Sequence, residues 1–280
     1  MSKSSSMLMT IAEENINSGV KKGNLSILRM IVLGIMAGAF IAFGGAASNV
    51  AVHGIENVGI AKTIAGTIFP VGLMLVVFSG SELFTGNCLM IMAVLDKKIK
   101  VHKMIINLVV VYLSNLVGAL IIDFLLYFSC QLDISSGGLG AYTIKIAVAK
   151  TTMSPSAEFT SGILCNILVC FAIIMASAAK EVIGKIFAIF FPIMAFVICG
   201  FEHCVANMFY IPMGILASTK PEYVAKAQEL FGITQEQCTN LLNFEGIDSF
   251  LYVTIGNIIG GMVLVGIVFY FANIKHIKSK

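Results

Sequence analysis

Two polar segments interrupt an otherwise apolar chain, and each holds residues able to meet a charge. Residues 77–87 read Val-Phe-Ser-Gly-Ser-Glu-Leu-Phe-Thr-Gly-Asn, and residues 200–203 read Gly-Phe-Glu-His. A helix needs about 20 apolar residues to cross a bilayer. Residues 63–95 would supply them without a pause but for the first segment. Backbone that leaves the helix at membrane depth is tolerated only inside protein or along a wet cavity. A carboxylate there, Glu82 or Glu202, must face a partner or a pathway. Both are expected to be structural, accepting hydrogen bonds from N–H groups freed by the interruption, with Asn87 and Asn207 in similar work. His203 can hold a proton or a positive charge at the same depth. Each interruption also starts a half-helix, near Thr85 and near Cys204, whose amino terminus offers free N–H groups and partial positive charge. Such ends favour an anion. The spacing predicts a permeation path with residues 79–85 at its middle.

The elements that must position these residues are membrane spans. The 280 residues are 58% hydrophobic and only 12% charged. A soluble domain carries about a quarter charged residues, so the composition is that of an integral membrane protein. Six spans are expected, at 27–52, 63–95 (broken), 104–130, 162–179, 185–216 (broken) and 250–273. They form one channel domain: a leader 1–25, a first half 26–130, a connection 131–161, a second half 162–273 with a loop 217–249, and a tail 274–280. With both termini cytoplasmic, 13 of the 18 lysines and arginines fall inside, leaving Lys62, Lys145, Lys150, Lys220 and Lys226 outside. That bias satisfies the positive-inside rule.

Residues 1–25 are polar and lack the apolar core of a secretory signal. Residues 10–24 suit an amphipathic surface helix, capped by Thr10 and Glu13 with a stripe of Ile11, Ile16 and Val20, or else a solvated leader. In the outer loop, Thr219 with Glu222 and Thr234 with Gln237 are expected to be capping boxes, and Glu222 with Lys226 an ion pair. The connection holds a glycine turn, 135–140, and a semi-apolar piece, 141–153. Gly34 with Gly38, and Gly256 with Gly260, are small-residue patterns for close helix packing. The seven cysteines (88, 130, 165, 170, 199, 204 and 238) lack paired spacing and read as small buried apolar residues, not disulfides. His53, His102 and His276 fall at span ends and read as interfacial. Nucleic acid is not an expected partner, since net charge is only +3 and a single arginine, Arg29, is present.

The two halves echo each other. Phe69-Pro70 precedes the first interruption and Phe191-Pro192 the second. Glu82 leads Asn87 by five residues, as Glu202 leads Asn207. Asn115-Leu-Val-Gly118 is matched by Asn257-Ile-Ile-Gly260. Three spans per half is an odd number, so the halves insert in opposite senses. Inverted repeats with a discontinuous helix in each half place the substrate path at their interface.

Residues 77–86, Gly162-Ile-Leu-Cys-Asn-Ile-Leu-Val-Cys170, Gly200-Phe-Glu-His-Cys-Val-Ala-Asn-Met-Phe209 and Gly256-Asn-Ile-Ile-Gly-Gly261 resemble the signatures of the formate/nitrite transporter family. The resemblance covers all six spans. It implies an all-α membrane protein with six transmembrane helices in an aquaporin-like inverted 3+3 repeat, helices 2 and 5 broken. It also implies a homopentamer in the bacterial inner membrane, each protomer with its own pore for a small monovalent anion. Within the family the chain looks most like the clostridial hydrosulfide channels, which implies HS⁻ as cargo beside formate and nitrite. By resemblance, Thr85 and His203 are the central polar pair, and Lys150 folds inward to raise the positive potential. Asn166 and Asn257 are amides near that centre. Leu73, Leu83 and Phe84 form one apolar constriction, and Phe69, Val169 and Phe196 the other.

An anion crossing two dry rings meets a barrier of many kcal/mol. Lys150, His203 and the half-helix ends can lower it, or His203 can lend a proton so that a weak acid crosses neutral. The second route suits hydrosulfide, formate and nitrite, and works against chloride. A water or glycerol channel fits the architecture but lacks twin Asn-Pro-Ala motifs. A proton-coupled secondary transporter is distinguished by accumulation against a gradient. A structural scaffold is disfavoured by short cytoplasmic loops. Enzyme, metal and cofactor chemistry are not expected: there is no P-loop, zinc protease motif or redox CxxC, and His203 and Cys204 diverge along a helix.

Overall fold

In the computed structural model, which describes residues 3–275, twelve helices run α1 (Lys3–Gly23), α2 (Ile27–Val52), α3 (Val58–Ser79), α4 (Phe84–Leu95), α5 (Val101–Phe128), α6 (Gly138–Thr151), α7 (Pro155–Ala178), α8 (Val182–Cys199), α9 (Cys204–Ser218), α10 (Pro221–Phe231), α11 (Gln235–Leu242) and α12 (Ser249–Ile274). Among the described residues no strand occurs. Six helices, α2, α3, α5, α7, α8 and α12, are long and apolar enough to span a membrane. Their outward sides carry the exposed apolar residues, such as Leu28, Leu125, Phe128 and Val182, that lipid or another protomer can cover.

Backbone contact between helices holds the bundle. A Cβ on Gly38 would fall on the Asn115 carbonyl, and one on Gly118 on the Ile35 carbonyl, so α2 and α5 touch with nothing between them. Gly256 and Gly260 meet Phe159 and Ile163 in the same way, joining α12 to α7. Close approach of this kind replaces the hydrophobic drive that lipid does not supply. From Ile259 to Ile267, α12 winds as a π-helix.

Both expected interruptions are present. The helix α3 ends on Gly80, φ +69°, and α4 begins at Phe84; α8 ends on Gly200, φ +71°, and α9 begins at Cys204. Left-handed backbone at these two positions is where glycine fits without strain. Phe69-Pro70 breaks α3 a second time, whereas Pro192 sits inside α8.

Several boundaries differ from the sequence expectation. The leader helix begins at Lys3, so Thr10 and Glu13 lie inside it and do not cap it. It does not lie free: Ile11, Ala12, Asn15, Ile16 and Gly19 are buried, and Asn15 donates to Ser177 Oγ at 2.9 Å, docking α1 on the end of α7. The fourth span starts at Pro155, not Gly162, because Ser154 caps it and proline suits the first helical position. Residues 141–153 belong mostly to a regular helix, α6. Thr219 closes α9 instead of capping α10, whose N-cap is Lys220, and Lys226 pairs with Glu229 at 3.7 Å rather than with Glu222. The Thr234–Gln237 capping box is formed. Five cysteines are buried, but Cys130 and Cys199 are exposed, and all seven are free thiols. His276, Lys278 and Lys280 lie outside the described residues.

Candidate functional site

The two half-helices α4 and α9 begin side by side, and each start is held by an asparagine from the following span. Asn115 accepts from the Phe84 N–H at 3.0 Å and donates to the Glu82 and Gly34 carbonyls at 2.9 and 2.8 Å. Asn257 accepts from the Cys204 N–H at 2.9 Å and donates to the Glu202 and Gly162 carbonyls at 3.0 and 2.7 Å. One side chain thereby satisfies a freed amide and two carbonyls, as buried backbone requires. This overturns the expectation that Glu82 and Glu202 accept from the freed amides. Their carboxylates instead accept from side chains: Glu82 from Lys22 at 2.8 Å and Asn87 at 2.7 Å, Glu202 from Lys150 at 2.8 and 2.9 Å and Asn207 at 2.8 Å.

Lys22 was not among the residues singled out from the sequence. The signal was there: Glu82-x4-Asn87 repeats Glu202-x4-Asn207, so a lysine for one motif asks for a lysine at the other. The match is imperfect. Lys22 also donates to Asn87 Oδ1 at 2.8 Å, while Asn207 Oδ1 is buried with no partner among the described residues and Lys150 spends its charge on both Glu202 oxygens. Asn107, also unanticipated, accepts from Asn87 at 2.7 Å.

Where the half-helices meet, Thr85 Oγ1 lies 2.9 Å from His203 Nε2. Thr85 is fully buried and His203 is 3% exposed. His203 is the N-cap of α9, and its Nδ1 accepts from the Ala206 N–H at 3.0 Å. A backbone N–H only donates, so Nδ1 carries no proton and the neutral ring holds its hydrogen on Nε2. Nε2–H therefore donates to Thr85 Oγ1. The Thr85 hydroxyl hydrogen has no other acceptor among the described residues, and is left to meet whatever stands at the centre. Asn166 donates to the Thr85 carbonyl at 3.2 Å and to the Asn257 carbonyl at 2.7 Å, tying the pair to both halves.

Two cavities approach this pair from opposite ends of α2, whose 26 residues rise about 39 Å. The first, about 340 Å³, is lined by Lys21, Lys22, Arg29, Leu33, Leu73, Glu82 and Leu83, at the α1 face. The second, about 710 Å³, is lined by Lys62, Phe69, Tyr142, Lys145, Lys150, Phe196, Glu202 and His203, at the opposite face. Lysines and arginine outnumber carboxylates in both linings, so each mouth favours anions. Phe69 and Phe196 meet edge to face at 5.6 Å beside His203. Of the residues expected in the constrictions, Leu73, Leu83, Phe69 and Phe196 line a cavity. Phe84 and Val169 line neither: the Phe84 ring packs on Tyr112 at 4.8 Å, and Val169 is buried within the bundle.

A multi-pass bundle whose two interrupted helices present a buried Thr–His pair between cationic cavities has the architecture of a membrane transport protein. The formate/nitrite transporter model matches residues 9–271, and the chain belongs to that family. It is 38% identical over 265 residues to a protein of Methanothermobacter thermautotrophicus described as a probable formate transporter, spanning 88% of this chain and 89% of that one. It is 37% identical over 257 residues to the formate channel FocA of Haemophilus influenzae, spanning 90% and 89%. Among solved structures, a pentameric formate channel with formate bound superposes with a TM-score of 0.77 at 32% identity, covering 89% of this chain and 98% of that one. A further ion channel of the family superposes with a TM-score of 0.79 at 26% identity, covering 94% and 98%.

Proposed function

We propose that this chain is a channel for small monovalent anions of weak acids, working as a homopentamer with one pore per protomer. Formate is the cargo that the named relatives support; hydrosulfide and nitrite are further cargo of the same chemistry, hydrosulfide resting on the motif resemblance. The two matched interruptions, each held by an asparagine of the following span, support an inverted repeat of three spans per half. The lysine bias supports a cytoplasmic α1 face, with the larger cavity on the outer side.

The observation that carries the proposal is the buried contact between Thr85 and His203, set between two cavities whose charge attracts anions. An ion leaving either cavity must pass the Leu73–Leu83 or Phe69–Phe196 residues, where a bare charge is costly. At the centre it accepts the free Thr85 O–H, which His203 Nε2–H polarises from behind. A weak-acid anion can go further and take a proton. The proton-lending form is a transient imidazolium, which costs the Ala206 bond because Nδ1–H and the Ala206 N–H then face each other as two donors. Passage is thus favoured at low pH and for ions whose acids are small and neutral.

Uptake of formate, hydrosulfide, nitrite and chloride into proteoliposomes, measured side by side across pH, tests this. The weak-acid anions should enter faster as pH falls and chloride should not enter. His203→Asn keeps an N-cap side chain but cannot titrate, and should flatten the pH profile; an unchanged profile refutes proton lending. Equal passage of chloride sinks weak-acid selectivity, and accumulation against a gradient marks a coupled transporter in place of a channel.

A further inference from the structure

The two cavities differ in kind. The one at the α1 face has no aromatic ring in its lining, whereas the one at the opposite face is twice as large and walled by aromatic residues. A volume of about 710 Å³ lies within the ~300–1,000 Å³ of organic-ligand pockets. A formate or hydrosulfide ion is close to a water in size, ~30 Å³. The transported ion fills only a small part of such a space.

Its outer wall is built from α6 and α10. The Tyr142 and Phe231 rings stand 6.0 Å apart, edge to face, and Lys145 Nζ lies 4.5 Å from the Phe231 centroid and 5.5 Å from that of Tyr142. The rings fix the ammonium at the rim without neutralising it. Within the same cavity Lys150 is cancelled by Glu202, and His53 has both ring nitrogens engaged, by the Val50 carbonyl and by Ser135. No carboxylate of the described residues lies within ion-pair distance of Lys62 or Lys145. Glu56 also lines the cavity, so three lysines stand against two carboxylates; the remaining positive charge beside an aromatic wall matches a ligand with one anionic end and a flat apolar body.

We propose that this cavity binds aromatic monocarboxylates, the carboxylate on Lys145 and Lys62 and the ring on the Tyr142–Phe231 wall. Lying over the mouth that leads to Phe196 and His203, the bound acid blocks the path from this side only. Binding itself does not depend on the transport proposal; block does.

The test is calorimetric titration of the pentamer in nanodiscs with 2-naphthoate at low salt, paired with formate flux in proteoliposomes with naphthoate added to one side. Saturable binding at one site per protomer is expected. Lys145→Gln and Phe231→Ala should each weaken it about tenfold, and Lys21→Gln, in the other cavity, should leave it unchanged. Absence of saturable binding overturns the proposal, and so does equal binding by the wild type, Lys145→Gln and Phe231→Ala, which is what partition into lipid gives. Should naphthoate bind with the expected variant pattern while formate does not cross, the binding site stands and the transport proposal fails.

Discussion

At the scale of single residues, the centre is governed by which group supplies the last hydrogen bond to each buried polar atom. Asn115 and Asn257 each serve three backbone groups. Replacing either by Ala leaves those groups unpaired, at about 1–3 kcal/mol for each unsatisfied group. The thermal midpoint in detergent should fall sharply, whereas exposed Asn57→Ala, which loses one cap bond to Ile60, should cost about 1 kcal/mol. Lys22 and Glu82 make a second case. Glu82 is 4% exposed, so removing the lysine alone strands a buried carboxylate, at about 3–5 kcal/mol. Lys22→Met should therefore destabilise more than the charge-free pair Lys22→Met/Glu82→Gln, as read from denaturation midpoints; equal losses would mean the ion pair does not hold α1. The pairings explain why Lys22 escaped notice in the sequence. A lysine at the end of an amphipathic helix looks like a solvated charge until the fold carries Glu82 to it across 60 residues.

Elements are held by contact distance more than by side-chain volume. Gly38 and Gly118 press backbone against backbone between α2 and α5, so Gly38→Ala must push two spans apart. Overpacking of this kind costs about 1–3 kcal/mol or more. Gly54, which has open space around it and ordinary backbone, is the matched control and should accept Ala without loss. Detergent melting curves of the two variants check this. At the outer loop, α10 is pinned through Tyr223, which is buried on Gly137 and Gly140, donates to Asp133 and accepts from Lys220 at 3.0 Å. Burial, and then the bond to Asp133, raise the Tyr223 hydroxyl above its ordinary value of 10. The neutral phenol is the form the fold favours, so its contribution is complete below about pH 10 and is lost as pH climbs through the raised value. Hydrogen exchange across Pro221–Phe231 should quicken above pH 10 in the wild type and change less with pH in Tyr223→Phe.

For the whole molecule, the proposed selectivity rests on arrangement and not on any single charge. Cationic lysines attract anions to both mouths, yet Lys22 and Lys150 are tied to carboxylates, which leaves the neutral Thr85–His203 pair at the centre. In the proposed channel, such a path would admit anions by field and pass them by hydrogen bonding. Lys150→Gln should accordingly act twice, lowering flux and destabilising the protein by stranding Glu202, and Lys150→Gln/Glu202→Gln should recover stability. Melting and flux measured on the same preparations separate the two effects; a double variant no more stable than Lys150→Gln would show that Glu202 is not held by the lysine.

Hydropathy alone determined the six spans and the places where two of them break, because lipid leaves no other use for long apolar runs and no tolerance for loose polar backbone. The repeat of Glu-x4-Asn and of Asn-x-x-Gly was likewise written in the chain. Only the tertiary structure decided who satisfies whom. Asparagines took the freed amides, lysines took the carboxylates, and Thr85 met His203. Phe84 and Val169 are as buried as Leu83 and Phe196 but line neither cavity, and an apolar residue beside a pore has the same sequence signature as one in a core. Span lengths are fixed by local hydrophobicity, whereas these pairings join residues 31 to 118 positions apart, and no local pattern records which distant groups folding will bring within 3 Å.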